Sequence, residues 1–415
     1  MRPSAPAFTI PGALERAAVE HADRAALRDG DTALTYRALL ESARQAATAV
    51  IAAGVRPGDA VGLWAPNSIE WAVVSLGALC AGAVIVPLNT RYTAVEAAEM
   101  IDRSGCALVF ADAGFLGRNL AAEAAALAGG PCVVSLGAAA AAGTVSLTDF
   151  LDGGVPSGEL DRRLGAIGPA DISHIAFTSG TTGRPKGAML RHDAMVRTTL
   201  EWGRVVGLRP GDRYPIVSPF SHIGGHKTGL LATITAGATA FPFPTLDITR
   251  LIETVETHGV TVLQGPPTMF HALVAAARAS GPARFASLRV GVTGAATIPP
   301  SLVRELLEVL GIEAVFTAYG LSESTGVCTI TSAGDPVEIV AETSGRPIPG
   351  VEVRTVAADG SPSPTGDRGE IVVRGPNVMA GYLDDPAATA LAVRDGWLYT
   401  GDIGWIGEDG CLRIV

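Results

Sequence analysis

Residues 178–187 read Thr178-Ser179-Gly180-Thr181-Thr182-Gly183-Arg184-Pro185-Lys186-Gly187, with four hydroxyl side chains and three glycines set around one lysine. Glycine lets backbone N–H groups turn toward an anion with no Cβ in the way. Hydroxyls add short donors, and Lys186 adds a point charge. Such a loop suits a polyphosphate. It is not a Walker A loop, because Pro185 stands where the second glycine belongs and Gly187 follows the lysine in place of Ser or Thr. A flexible Gly- and Thr-rich surface loop is the plain alternative, and ten consecutive residues are far more specific than that.

The chain around this loop has 415 residues, 48% of them hydrophobic and 17% charged, enough for two or three globular domains. Its formal net charge of −10 and lack of a basic run argue against nucleic-acid binding. Cys80, Cys106, Cys132, Cys328 and Cys411 are scattered, with no C-x-x-C spacing, which points away from a disulfide framework or structural metal and toward a reducing cytoplasm. The first residues hold prolines and no apolar core, so no signal peptide is expected. Residues 71–90 carry no charge, yet Gly82 and Pro87 interrupt them. They predict a buried helix followed by a strand, with a capping box at Asn67 and Glu70, and no membrane span.

Three regions are expected. Residues 1–165 form a first α/β unit, with a helix over 36–53, strands over 59–64 and 107–110, and a helix over 91–102. Residues 166–330 form a second, doubly wound α/β unit. Its strands fall over 172–177, 214–218, 238–243, 260–263, 288–292 and 313–316, and its helices over 246–258, 267–279 and 299–310. The phosphate loop then follows the first strand of that sheet, and other loops leaving the same sheet converge on one ligand. Residues 331–415 read as a small β-barrel-like subdomain of short strands and turns.

Four further stretches carry chemistry. Thr293-Gly294-Ala295-Ala296 ends a strand with small residues that leave space for a flat ring, although alone it is an ordinary turn. Ala318-Tyr319-Gly320-Leu321-Ser322-Glu323 offers a ring and a carboxylate. Tyr399-Thr400-Gly401-Asp402 offers a second carboxylate. Pro219-Phe220-Ser221-His222-Ile223-Gly224-Gly225 offers a histidine, which by itself reads as a packed structural residue.

Together with residues 178–187, in this order, these stretches resemble the adenylate-forming superfamily of acyl-CoA synthetases, peptide-synthetase adenylation domains and luciferases. The resemblance implies that Thr178, Ser179, Gly180, Thr181, Thr182, Gly183 and Lys186 hold the ATP phosphates. It places adenine on Gly294, Ala295, Ala296, Ala318, Tyr319, Gly320 and Ser322, and the ribose hydroxyls on Asp402. Thr178 and Glu323 would hold Mg2+. His222, Ile223, Gly224, Gly225 and Gly320 would line the acid pocket, with Gly224, Gly225 and Gly229 leaving room for a bulky acyl group. Lys186, His222 and Glu323 are the expected catalytic side chains. Gly369-Glu370-Ile371 through Gly381-Tyr382 matches a further motif of the family, read as structural.

The implied partners are ATP, a carboxylic acid and coenzyme A, with no nucleic acid, and a homodimer is left open. The expected activity is acyl-AMP formation followed by transfer to coenzyme A. Ser221 stands where amino-acid-activating relatives place an Asp, which argues against an amino acid, and the resemblance implies a fatty or steroid-derived acid. The nearest likeness is to actinobacterial ligases of steroid ring propionates. Two rivals are a ligase that loads a carrier protein and a non-catalytic nucleotide-binding module. The family's small C-terminal domain, which follows a hinge, is expected to lie outside this sequence.

Overall fold

From the strand Ala60–Trp64, Val61 and Leu63 point one way and Ala60 and Trp64 the other, and all four are buried. A strand apolar on both faces must be covered on both. That condition sets the architecture of the computed structural model, which describes residues 6–127, 130–137, 140–178, 184–294 and 298–415.

Two large sheets lie back to back across a layer of helices. Among the described residues one sheet has eight strands, in which Leu108–Asp112, Ala60–Trp64, Val84–Pro87 and Ile172–Thr178 run parallel. The other has nine, built on parallel strands Thr239–Pro242, Arg213–Ile216, Val262–Gly265, Val290–Thr293 and Ala314–Tyr319. One continuous core joins their facing sides through the helices Ile10–Glu20, Tyr36–Ala52, Ile69–Cys80 and His192–Val206. Separate cores cover the outer faces. Leu251, Phe270 and Leu302 belong to one, and Trp64, Met100 and Leu120 to the other.

A small five-stranded antiparallel sheet, Glu352–Val356, Gly369–Arg374, Trp397–Ile406, Val393–Arg394 and Leu412–Ile414, stands beside them.

The sheets do not divide the chain where the sequence pattern suggested. Ile172–Thr178 pairs with Val84–Pro87 and so belongs to the first sheet. Ala25–Asp29 and Thr32–Thr35 join the second. Strand and helix periodicity mark elements but not partners, because partner choice depends on long-range burial. Among the elements that carried no expectation are the strand Lys186–Arg191 and the helix His192–Val206. That strand folds back antiparallel on Ile172–Thr178, with Thr178 opposite Lys186.

The expected capping box at Asn67 and Glu70 is absent. Ser68 caps the helix instead, its hydroxyl accepting from Trp71 N–H at 3.0 Å. Asn67 is buried and bridges to the other sheet. Its Nδ2 donates to Ile216 O at 3.0 Å and Ser218 O at 2.9 Å, and its Oδ1 accepts from Phe220 N–H at 2.6 Å.

Candidate active site

The antiparallel pairing of Ile172–Thr178 with Lys186–Arg191 sets Thr178 at the end of its strand, opposite Lys186. The loop carrying Glu323 comes from the other sheet, just past Ala314–Tyr319. The two meet across 145 residues, where Thr178 Oγ1 donates to Glu323 Oε1 at 3.0 Å. Tyr382 OH donates to the same oxygen at 3.0 Å. Burial, reinforced by the Glu323 charge, raises the Tyr382 pKa, so the phenol keeps its proton. The Lys186 ammonium lies 5.2 Å from the centroid of the Tyr382 ring. Tyr382 closes the 369–382 motif that was read as structural, and its hydroxyl belongs to the site. A tyrosine ending a strand motif carried no chemical signal of its own.

Convergence thus occurs between two sheets and not along one. Ser179, Gly180, Thr181, Thr182 and Gly183 lie outside the described residues, as do Ala295 and Ala296.

Asp402 reaches the site from the small sheet, accepting from Tyr319 OH at 2.6 Å. Burial and the neighbouring carboxylate raise the Tyr319 pKa. Asp402 N–H is itself held by Thr400 Oγ1 at 3.1 Å. At Gly294 the nearest atom to an added Cβ among the described residues is Ala318 O at 3.7 Å, an ordinary van der Waals contact.

His222 caps the short turn Ile223–Gly225, its Nδ1 accepting from Gly224 N–H at 3.0 Å. With Nδ1 as acceptor, the neutral ring carries its proton on Nε2. Loss of surrounding water lowers the His222 pKa and favours that neutral form.

Gly225 and Gly229 do not open an acyl pocket. A Cβ on Gly225 would lie 2.1 Å from Pro219 O, and one on Gly229 would lie 2.6 Å from Ile216 Cγ2. Both glycines are filled by the protein's own close packing. Gly320 is likewise tight, 2.5 Å from the Gly326 backbone. A Cβ on Gly224 would lie 3.1 Å from His222 Nδ1, with Gln264 Nε2 further off at 3.9 Å. Gln264 was not anticipated. Its Oε1 accepts from Tyr214 OH at 2.5 Å, and its amide N–H groups make no hydrogen bond among the described residues.

A cleft of about 390 Å3 opens on the Lys186 flank, lined by Arg103, Arg184, Pro185, Lys186, Leu383, Asp384 and Asp385. Arg103 is braced there, donating to Pro185 O at 2.6 Å.

The donor set suits magnesium. Glu323 and Thr178 supply hard oxygens, and Glu323 is 8% exposed. Among the described residues no group of three His, Cys, Asp or Glu is placed to hold a metal. A sparse protein contribution is what Mg2+ accepts when phosphate oxygens and water complete its shell.

A sequence profile of the AMP-binding enzyme family matches residues 14–383. A methyl-dioxo-octahydroindenyl-propanoyl:CoA ligase from Mycobacterium tuberculosis is 42% identical over 98% of this chain and 78% of its own length. The ligase of the same name from Rhodococcus jostii is 40% identical over 98% of the chain and 79% of its length. Among solved structures, the N-terminal domain of FACL13 from Mycobacterium tuberculosis superposes with a TM-score of 0.87 at 28% identity, covering 98% of this chain and 99% of that one. By that match over most of the chain and those identities, this chain belongs to the AMP-binding enzyme family and is an AMP-forming acyl-CoA synthetase that uses ATP, Mg2+ and coenzyme A.

Proposed function

We propose that the acid activated here is a propanoate borne on a partly degraded, oxygenated fused-ring system, and that the residues above divide the work as follows. Lys186 and the stretch 178–187 hold the β- and γ-phosphates. Glu323, oriented by the Thr178 and Tyr382 hydroxyls, holds Mg2+, which when bound neutralises charge on the leaving pyrophosphate. The ribose rests on Asp402 and the adenine on Gly294 and the Tyr319 region.

His222 offers its Nε2 proton to the substrate carboxylate. Two anions, carboxylate and α-phosphate, must approach, and a neutral donor orients one without cancelling its nucleophilicity. Attack on the α-phosphorus gives the acyl-adenylate and pyrophosphate. The coenzyme A thiol then displaces AMP.

The observation that carries this reading is the meeting of Thr178, Tyr382 and Glu323 from three separate stretches, with hydrogen bonds of 3.0 Å. The fused-ring substrate is supported by the two relatives at 42% and 40% identity. A Gln264 amide on the Gly224 side, its N–H groups without a hydrogen bond among the described residues, suits a ring ketone. Cytoplasmic residence is supported by five cysteines that are all free. No helix among the described residues is long and apolar enough to cross a membrane.

The test is acid-dependent ATP–pyrophosphate exchange with fused-ring propanoates, fatty acids and aryl acids. Exchange should be strongest with the fused-ring acids. Thioester formation should follow with coenzyme A and not with a phosphopantetheinylated carrier. ATP binding with no exchange for any acid would sink the assignment.

A further inference from the structure

Lys227 has no role in the reading above, yet it is 0% exposed and stands one turn from His222. It lies in the π-helical stretch His226–Leu231, directly after Ile223–Gly225. Single π-turns interrupt helices where a side chain must be re-aimed, frequently at functional sites. The amine reaches out of that helix to another segment, where Lys227 Nζ donates to Thr325 O at 2.9 Å.

Thr325 ends the turn that carries Glu323. Its φ is +54°, in the left-handed region a β-branched residue avoids, and Gly326 follows at +82°. Such a turn persists only when its surroundings hold it. On one side Asn377 does so. Thr325 Oγ1 donates to Asn377 O at 2.7 Å, and Asn377 Nδ2 donates to Ser324 O at 3.2 Å and Val327 O at 3.3 Å. On the other side stand Lys227 and Ile223, and a Cβ on Gly326 would lie 2.9 Å from Ile223 Cγ1.

An apolar residue of the same length would fill this slot without burying an amine. The Cys328 thiol nearby is pushed up to about 12 by burial and stays neutral, so it offers no counter-charge. What the amine adds is a directed donor to the Glu323 turn.

We propose that Lys227 is a positioning residue that ties the turn carrying Glu323 to the segment carrying His222, so that the grip on magnesium-ATP depends on it. This rests on the assignment of Glu323 to the metal. The pull on Thr325 keeps the turn fixed from the acid side, and the acid pocket and the metal site share one mechanical link.

The test is calorimetric titration of the chain with ATP, in magnesium and in EDTA, beside thermal melts. Magnesium should tighten ATP binding to the unaltered protein. Lys227→Met should lose about tenfold of that gain, with little change in EDTA, and Lys227→Arg should recover part of it. A merely structural lysine would lower both affinities together. Gly326→Ala presses on Ile223, the other tie between the two segments, and should cut the magnesium gain as well. It decides the matter if Lys227→Met does not fold. A full magnesium gain in either variant overturns the proposal. If the unaltered chain binds ATP equally in magnesium and EDTA, the metal assignment fails first and the proposal with it.

Discussion

Glu323 accepts from two hydroxyls that arrive from different parts of the chain, and it is almost fully withdrawn from water. Glu323→Gln keeps the shape and removes the charge. It is expected to slow ATP–pyrophosphate exchange by about a hundredfold, the scale of losing one group aimed at the charge that develops in the transition state. The melting temperature should change little. An unchanged exchange rate would remove Glu323 from the metal role.

His192 is a second residue with a measurable signature. Its Nδ1 accepts from Ile10 N–H at 3.2 Å, and burial pushes its pKa from 6.5 down to about 4. The unfolded chain therefore binds more protons than the folded one between these values. The stabilisation is complete above pH 6.5 and is lost as pH falls toward 4, by about 3 kcal/mol. Urea unfolding at both ends of that window should show the fall. His192→Asn, which keeps an acceptor but does not titrate there, should reduce it.

Among elements, the Ile223–Gly225 turn and the π-helical stretch after it repay attention. The sequence reading expected Gly225 to leave room for an acyl group, and the packing gives it another job. It clears backbone carbonyls at Ser218 and Pro219, the nearest only 2.1 Å from an added Cβ. Carbonyls of a packed turn cannot retreat as a flexible side chain would. Gly225→Ala is thus expected to destabilise the protein by about 3 kcal/mol, the upper range for overpacking, read as a drop in the urea midpoint. At Gly294, by contrast, an added Cβ would make only an ordinary contact among the described residues, 3.7 Å from Ala318 O, and Gly294→Ala should fold normally and show its effect in nucleotide affinity. The His192–Val206 helix went unread from the sequence because its polar residues hide the apolar face. Thr198 and Thr199 are buried there with hydroxyls turned back to Ala194 O and Met195 O.

At the scale of the molecule, the site is a seam between sheets, and Asn67 spans that seam. It leaves the end of the Ala60–Trp64 strand and satisfies three backbone groups beyond the Arg213–Ile216 strand. Asn67→Ala strands those groups in the interior. A cost of about 3 kcal/mol is expected, since each buried unpaired group costs about 1–3 kcal/mol and water can reach some of them. Exchange activity should fall with it, because Phe220 N–H is one of the groups released and Phe220 precedes His222 by two positions. A variant as stable as the parent would show that the seam is held elsewhere.

Local chemistry was written plainly in the chain. Strand and helix periods, the hydroxyl- and glycine-rich stretch at 178–187, and the carboxylates at Glu323 and Asp402 are all properties of neighbouring residues, and neighbours are what a sequence records. Only the tertiary structure decided that Thr178 belongs to one sheet and Glu323 to the other. It also decided that Tyr382 joins them, and that a Cβ is barred at Gly225 but not at Gly294. Those facts depend on which buried surfaces pair across more than a hundred residues, and on what backbone lies against each Cα. No local period encodes either one.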